Sequence, residues 1–408
     1  MPSSLVEYSC NGPFFHDDRV VRAHDGILRY GGLNPSLTEL LDVAVHRYAG
    51  RVAVEEDGGR SVTFSQLWKS ASRVAGGLKE RGVEIGDRVA VRQPVAVRWV
   101  EAFLGVLLAG GVPVGVSPAL DDTQTGMVIA DSASVLTLDG ELPEGVSYID
   151  DGAGPEELVL LSYAPGTSDF PRGVELSNEN LLSTIESVIY ARGFSSEGLR
   201  NLLVDPELHT VGSLVELLST LVIGGTVLLT ASSDAASWRG TGADVLTASP
   251  AVLLGAVENS RVTSFGRRAV RWIDYSGAGL PAEQARLLRR MFPDAKHILC
   301  WGMTETCGTG LALPDECALS HAGSVGIAFG GMEVALFGPD AARGFGELLC
   351  RGPGVMRGYW NSPEVTAESF TGDWFHTGDT ATIDGDGFVR IVDGDIAAKA
   401  VRKAGITP

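Results

Sequence analysis

Between residues 36 and 300 the chain alternates strand-length apolar runs with helix-length amphipathic ones, and that alternation admits few folds other than a parallel α/β layer. Leu37, Leu40, Leu41, Val43, Ala44 and Val45 recur at helical spacing behind a serine at 36, which predicts a capped helix to Tyr48. Val52 to Glu55 and Val62 to Phe64 read as a hairpin, Ser65 as the cap of a helix running to Arg81, and Asp87 to Arg92 as a strand. A helix through Trp99 to Leu108 and a strand from Val112 to Val116 follow. Further on, strands are expected over Asn201 to Asp205, Thr226 to Thr230, Trp272 to Ser276, His297 to Cys300 and Phe388 to Val392. Helices are expected over Leu214 to Leu221 and Ala282 to Met291.

At 408 residues and 44 % hydrophobic content the chain can bury a large core in one composite domain or two. A net charge of -19 argues against nucleic acid or an anionic membrane as the main partner. The five cysteines (Cys10, Cys300, Cys307, Cys317 and Cys350) lack paired metal spacing, which points to reduced thiols. No basic apolar leader opens the chain, and the most apolar run, Leu214 to Leu229, contains Glu216. A cytoplasmic protein without membrane insertion is the expectation.

Chemistry concentrates between Leu160 and Leu182. An apolar run from Leu158 to Leu161 breaks into a loop holding Pro165, Gly166, Pro171 and Gly173, with hydroxyls at Thr167 and Ser168 and a cation at Arg172. Beyond it, Ser177 and Asn178 can cap a helix carrying Leu181 and Leu182. Freed backbone N–H groups, hydroxyls and one basic side chain are what a polyphosphate needs, because they supply donors and positive charge without bulk. A plain surface turn has the same composition.

The stretch resembles the Tyr-Ser-Gly-Thr-Thr-Gly-x-Pro-Lys-Gly-Val loop of the adenylate-forming enzymes, the superfamily of acyl-CoA synthetases, peptide-synthetase adenylation domains and luciferases. Tyr163, Gly166, Thr167, Pro171, Gly173 and Val174 match, whereas Pro165 replaces a serine or threonine, Asp169 a glycine and Arg172 a lysine. A carboxylate at the glycine position places negative charge where ATP phosphates would lie and removes a residue free to take positive φ. The segments VTFSQL, RGVEIGDRVAV and LLAGGVPVGVSP resemble the opening of the same family.

The resemblance extends along the chain and implies roles for residues that are ambiguous by themselves. A histidine at a strand mouth, His209 after Pro206, serves structure or catalysis; the family carries such a Pro-x-x-His beside the reacting carboxyl group. Thr210 stands where peptide-synthetase domains hold the substrate amino group with an aspartate, so the resemblance favours a plain carboxylic acid. The turn Gly277-Ala278-Gly279 between strand and helix is an ordinary packing joint, and in the family it lies along the adenine. Trp301-Gly302-Met303-Thr304-Glu305-Thr306 resembles the Tyr-Gly-Met-Thr-Glu segment, which implies an aromatic slot for Trp301, an α-phosphate contact for Thr304 and Mg²⁺ coordination by Glu305. Thr377-Gly378-Asp379 reads alone as a turn. The family's aspartate there accepts both ribose hydroxyls, a task that suits a two-oxygen acceptor.

The fold expected is α/β, an acyl-CoA synthetase-like large domain of two α/β layers plus a small β-rich subdomain. Residues 1–392 would form this adenylate-forming domain, and 393–408 a worn hinge remnant containing Lys399, Arg402, Lys403 and Gly405. The mobile lysine-bearing domain of the family is not recognisable in the sequence. The function implied is acid–thiol ligase chemistry: binding an acyl-adenylate and passing the acyl group to CoA, with ATP-dependent adenylation weak or lost. The ligands expected are acyl-AMP or ATP/AMP, Mg²⁺ and CoA, and a separate adenylating enzyme is a candidate partner. An ordinary ATP-dependent synthetase in shortened form and a non-catalytic adenylate-binding partner of an active synthetase remain alternatives.

Overall fold

The computed structural model describes residues 4–9, 15–164, 172–195, 198–234, 237–238, 240–258, 270–276 and 279–393. Among these, three large sheets carry the architecture. The largest has nine strands, of which six run parallel: Val52–Glu56, Thr226–Thr230, Arg200–Val204, Val245–Thr247, Trp272–Ser276 and Lys296–Trp301. Antiparallel strands close both edges, Ser61–Thr63 on one side and Leu311–Leu313 with Ile327–Ala328 on the other. A second, mixed sheet of six strands is ordered Gly358–Tyr359, Arg172–Ser177, Leu158–Ala164, Val112–Gly115, Arg88–Val91, Leu136–Leu138. The third is antiparallel and joins Ser4–Tyr8, Glu333–Gly338, Phe345–Arg351, Trp374–Ile383, Phe370–Thr371 and Val389–Asp393. Two α/β layers and a β-rich part are thus present as expected.

The main core lies where helices meet the first two sheets. Val54, Leu203 and Val227 from one sheet and Val89, Leu160 and Val174 from the other share a buried cluster with helices Leu37–Tyr48, Phe64–Glu80, Val97–Leu108, Asn178–Arg192 and Val211–Val222. The Val97–Leu108 helix is buried around nearly its whole circumference, which explains why its sequence shows little polar face. Helix Phe64–Glu80 by contrast keeps a one-sided stripe, with Leu67, Ala71, Val74, Ala75 and Leu78 buried.

Boundaries deserve two corrections. The helix expected to start at Ser65 is capped by Thr63: its Oγ1 accepts from Gln66 N at 3.2 Å, while the Gln66 side chain accepts from Thr63 N at 2.9 Å. This reciprocal box satisfies two backbone donors, so it outcompetes a lone serine further along. The glycine-rich loop is also shorter than read. The strand Leu158–Ala164 continues past the apolar run, and Arg172–Ser177 returns antiparallel beside it, pairing Arg172 with Ala164 and Val174 with Ser162. Ser177 does cap the next helix, accepting from Asn180 N at 3.3 Å. A helix at Asp122–Asp131, capped by Asp121, was not anticipated because its apolar residues are few.

Candidate active site

In a parallel sheet the strand ends stop short of their connecting helices, and the gap at the carboxyl edge is where ligands fit. Here the ends of Arg200–Val204, Val245–Thr247, Trp272–Ser276 and Lys296–Trp301 converge on a cavity of about 240 Å³. His209 lies beside it, between the lining residues Glu207 and Thr210, on the turn that enters helix Val211–Val222. That turn rests on the neighbouring sheet: a Cβ at Gly115 would lie 2.4 Å from the His209 carbonyl oxygen. Only glycine permits the approach, so Gly115 sets the height of the histidine. Burial holds the imidazole below the usual histidine range, with Glu207 opposing the shift, and the ring is therefore neutral near pH 7.

The second part of the site follows the strand Lys296–Trp301. The chain turns tightly through a short 3₁₀ segment, Thr304–Thr306, with Met303 O accepting from Thr306 N and Gly308 N at 3.0 and 2.9 Å. Gly302 is packed against the returning chain, where a Cβ would meet Thr309 Cα at 2.4 Å. Gly308 in turn abuts Gly212, which joins this loop to the His209 turn. Trp301 is 6 % exposed and packs with Leu311, Val325, Met332 and Val334, so its ring serves the junction with the antiparallel sheet more than an open slot.

Glu305 is 7 % exposed and is held from two sides. The Tyr359 hydroxyl donates to Oε1 at 2.7 Å, and Met356 N donates to the Glu305 carbonyl at 2.9 Å. The Arg172 guanidinium lies 5.7 Å from the centre of the Tyr359 ring, an ordinary cation–π distance. Pairing of Val174 with Tyr359 fixes this arrangement across the sheet edge. The structure thus brings together Arg172 and Glu305 through a tyrosine that sequence reading passed over. Its signal was faint, since Gly358-Tyr359-Trp360 reads as one more aromatic turn. Among the described residues no donor reaches Glu305 Oε2. A buried carboxylate with one oxygen steadied, and the other without a donor among the described residues, fits a hard cation such as Mg²⁺.

Asp379 sits in the third sheet on the strand Trp374–Ile383, where the register with Phe345–Arg351 slips between Glu347 and Leu349. The slip is a bulge, and bulges re-aim side chains. Gly378 N donates to Glu347 Oε1 at 3.0 Å and Asp379 N donates to Thr377 Oγ1 at 3.1 Å, which hold the turn. The side chain is 6 % exposed and lies near enough to Cys350 to raise that thiol's pKa, with burial the larger cause. Gly279 contacts the chain at Gly323, where a Cβ would lie 2.3 Å from the carbonyl oxygen. Gly277, Ala278 and Thr167, with Pro165 and Asp169, lie outside the described residues.

One buried charge cluster was also missed. Arg192, at the end of helix Asn178–Arg192, donates to Glu216 Oε2 at 2.7 Å and is ion-paired with Asp274. Both acids interrupt apolar runs, which was the available signal; nothing in the sequence pairs them with one arginine.

The fold is that of the large domain of the adenylate-forming enzymes. A family model described as AMP-binding enzyme matches residues 41–148 and 141–360, and the chain belongs to that family. Feruloyl-CoA synthase from Amycolatopsis sp is 30 % identical over 381 residues, covering 82 % of this chain and 74 % of the relative. 4-Coumarate–CoA ligase-like 9 from Oryza sativa subsp. japonica is 29 % identical, covering 85 % and 72 %. These relatives are acid–thiol ligases. The inhibitor-bound N-terminal domain of FACL13 from Mycobacterium tuberculosis superposes with a TM-score of 0.81 at 23 % identity, covering 88 % of this chain and 100 % of that one. O-succinylbenzoate coenzyme A synthetase from Bacillus subtilis, in complex with AMP, gives 0.78 at 23 %, covering 88 % and 78 %. No helix among the described residues is long and apolar enough to cross a membrane.

Proposed function

We propose that this protein binds the adenylate of a carboxylic acid and transfers the acyl group to CoA, with the ATP-dependent half-reaction weak or lost. The observation that carries the proposal is an asymmetry. Glu305, Tyr359 and Arg172 form a connected array, while the loop that should grip the leaving pyrophosphate contains Pro165 and Asp169. Acyl transfer does not need that grip. The CoA sulfur bonds to the carbonyl carbon, the bond from that carbon to the phosphate oxygen breaks, and AMP leaves while the thiol proton passes to solvent.

The enzyme must orient two reactants and stabilise charge on the attacked carbonyl. In this reading His209 flanks the carbonyl, Thr304 holds the phosphate of the leaving AMP, and the Gly277-Ala278-Gly279 turn faces the adenine. Asp379 accepts the ribose hydroxyls. Mg²⁺ held by Glu305 would supply positive charge at the phosphate.

Supplied with a synthetic acyl-adenylate and CoA, the protein is expected to form thioester, and His209→Ala to slow the transfer by about tenfold or more, a loss of ~1.4 kcal/mol. Binding without transfer above the uncatalysed rate would leave a non-catalytic partner of a separate adenylating enzyme as the better reading. Asp379→Ala is expected to weaken a non-hydrolysable acyl-adenylate analogue by about 1.5–3 kcal/mol, the range for a hydrogen bond to a charged group. Calorimetry checks this, and unchanged affinity reduces Asp379 to a turn residue.

A further inference from the structure

The cavity at the strand ends has a rim in water and a floor inside the protein. Asp205, Glu207 and Ser249 on the rim are exposed, whereas Val215, Asp274, Cys300 and Thr309 at the inner end are buried. Behind that floor the space is filled. Arg192 donates to both Glu216 oxygens, at 2.5 and 2.7 Å, and is ion-paired with Asp274. Its guanidinium lies 5.5 Å from the centre of the Phe194 ring, which meets the Trp272 indole edge-on, and its carbonyl accepts from Trp272 Nε1 at 3.1 Å. Beside this group the Cys300 thiol is hydrogen-bonded to Thr309.

Volume and wall chemistry together bound what can enter. A cavity of about 240 Å³ holds roughly eight groups of ~30 Å³, the share of one water in the liquid and close to that of a methylene. A longer tail has two ways to go. Through the floor it must part Arg192 from Asp274 or Glu216, which leaves charges buried without partners at large cost. Back past the rim it returns to water, where an added methylene buries no surface and contributes no affinity. The side walls are occupied too: the helix Val211–Val222 packs Leu214, Leu217 and Leu218 into the main core, and Thr247 Oγ1 donates to Asn201 Oδ1 at 2.9 Å.

Resting on the adenylate reading above, we infer that the acyl group is short, about eight carbons or fewer beyond its carboxyl, and that the floor built by Arg192, Glu216 and Asp274 sets this limit. The floor is rigid for a physical reason. One guanidinium serves two carboxylates from two different elements, so moving any of the three costs a charge pair, and a flexible apolar floor carries no such penalty. Val215, the apolar lining residue next to Glu216, is where the end of the tail meets the floor.

The test is calorimetric binding of non-hydrolysable acyl-adenylate analogues with butanoyl, hexanoyl, octanoyl, decanoyl and dodecanoyl tails. Affinity is expected to rise about fourfold per methylene while the cavity fills, and to stop rising between octanoyl and decanoyl. Val215→Ala, in protein whose melting shows it folded, should carry the rise about one or two carbons further, because it vacates two methyl groups at the floor. A rise that continues through dodecanoyl in the wild type overturns the inference and leaves the adenylate reading standing. An unchanged limit in the folded variant places the restriction elsewhere and overturns it as well. Failure of every analogue to bind overturns both readings.

Discussion

Incubated with Mg-ATP, labelled pyrophosphate and candidate acids, the protein is expected to exchange label about a hundredfold or more slowly than it transfers acyl groups from preformed adenylate, two departures at ~1.4 kcal/mol each. The reasoning concerns charge and backbone. By the family resemblance, Asp169 puts a carboxylate at a loop glycine's position, where ATP phosphates would lie, and Pro165 replaces a serine or threonine and so lacks both its hydroxyl and its backbone donor. Pro165→Ser with Asp169→Gly should raise exchange toward the transfer rate. Exchange by the unmodified protein as fast as transfer would make it an ordinary ATP-dependent synthetase.

Arg192→Met should lower stability by about 3–5 kcal/mol, the cost of leaving the buried Asp274 and the half-buried Glu216 without their partner. Arg192 bridges the helix Asn178–Arg192, the helix Val211–Val222 through Glu216, and the strand Trp272–Ser276 through Asp274, so its loss is felt in three elements. The pH dependence has a definite sign. A carboxyl whose folded pKa lies above its unfolded value near 3.8 stabilises the fold at low pH and loses that contribution as pH rises through the raised value. Removing the arginine removes the one influence that lowers the Asp274 pKa, so the variant should be relatively more stable at pH 5 than at pH 8. Denaturant midpoints at the two pH values measure this. A midpoint equal to the wild type's would show that the cluster contributes nothing to the fold.

Much of the architecture was legible because helix and strand periods are local properties. Helix Ala282–Met291 and strand Trp272–Ser276 fall where the pattern placed them, and the caps at Ser36 and Ser177 are present in the structure. Errors arose where a local signal had a stronger competitor nearby, as Thr63 with Gln66 displaced Ser65. Helix Asp122–Asp131 was missed because only Thr125 and Val128 are buried, too few to set up a period. Of the candidate site, the motif around Thr304 and Glu305 was readable as a string, whereas Tyr359 and Gly115 were not.

By itself the sequence determined the alternation of strands and helices, the capped helix starts, the family resemblance and the departures from the family's loop at Pro165, Asp169 and Arg172, because each is carried by residues adjacent in the chain. Only the tertiary structure decided that Tyr359 steadies Glu305, that Gly115 seats His209, and that Arg192 faces both Glu216 and Asp274. Those contacts join residues far apart in sequence. Their energies depend on burial and distance, which exist only once the sheets have packed.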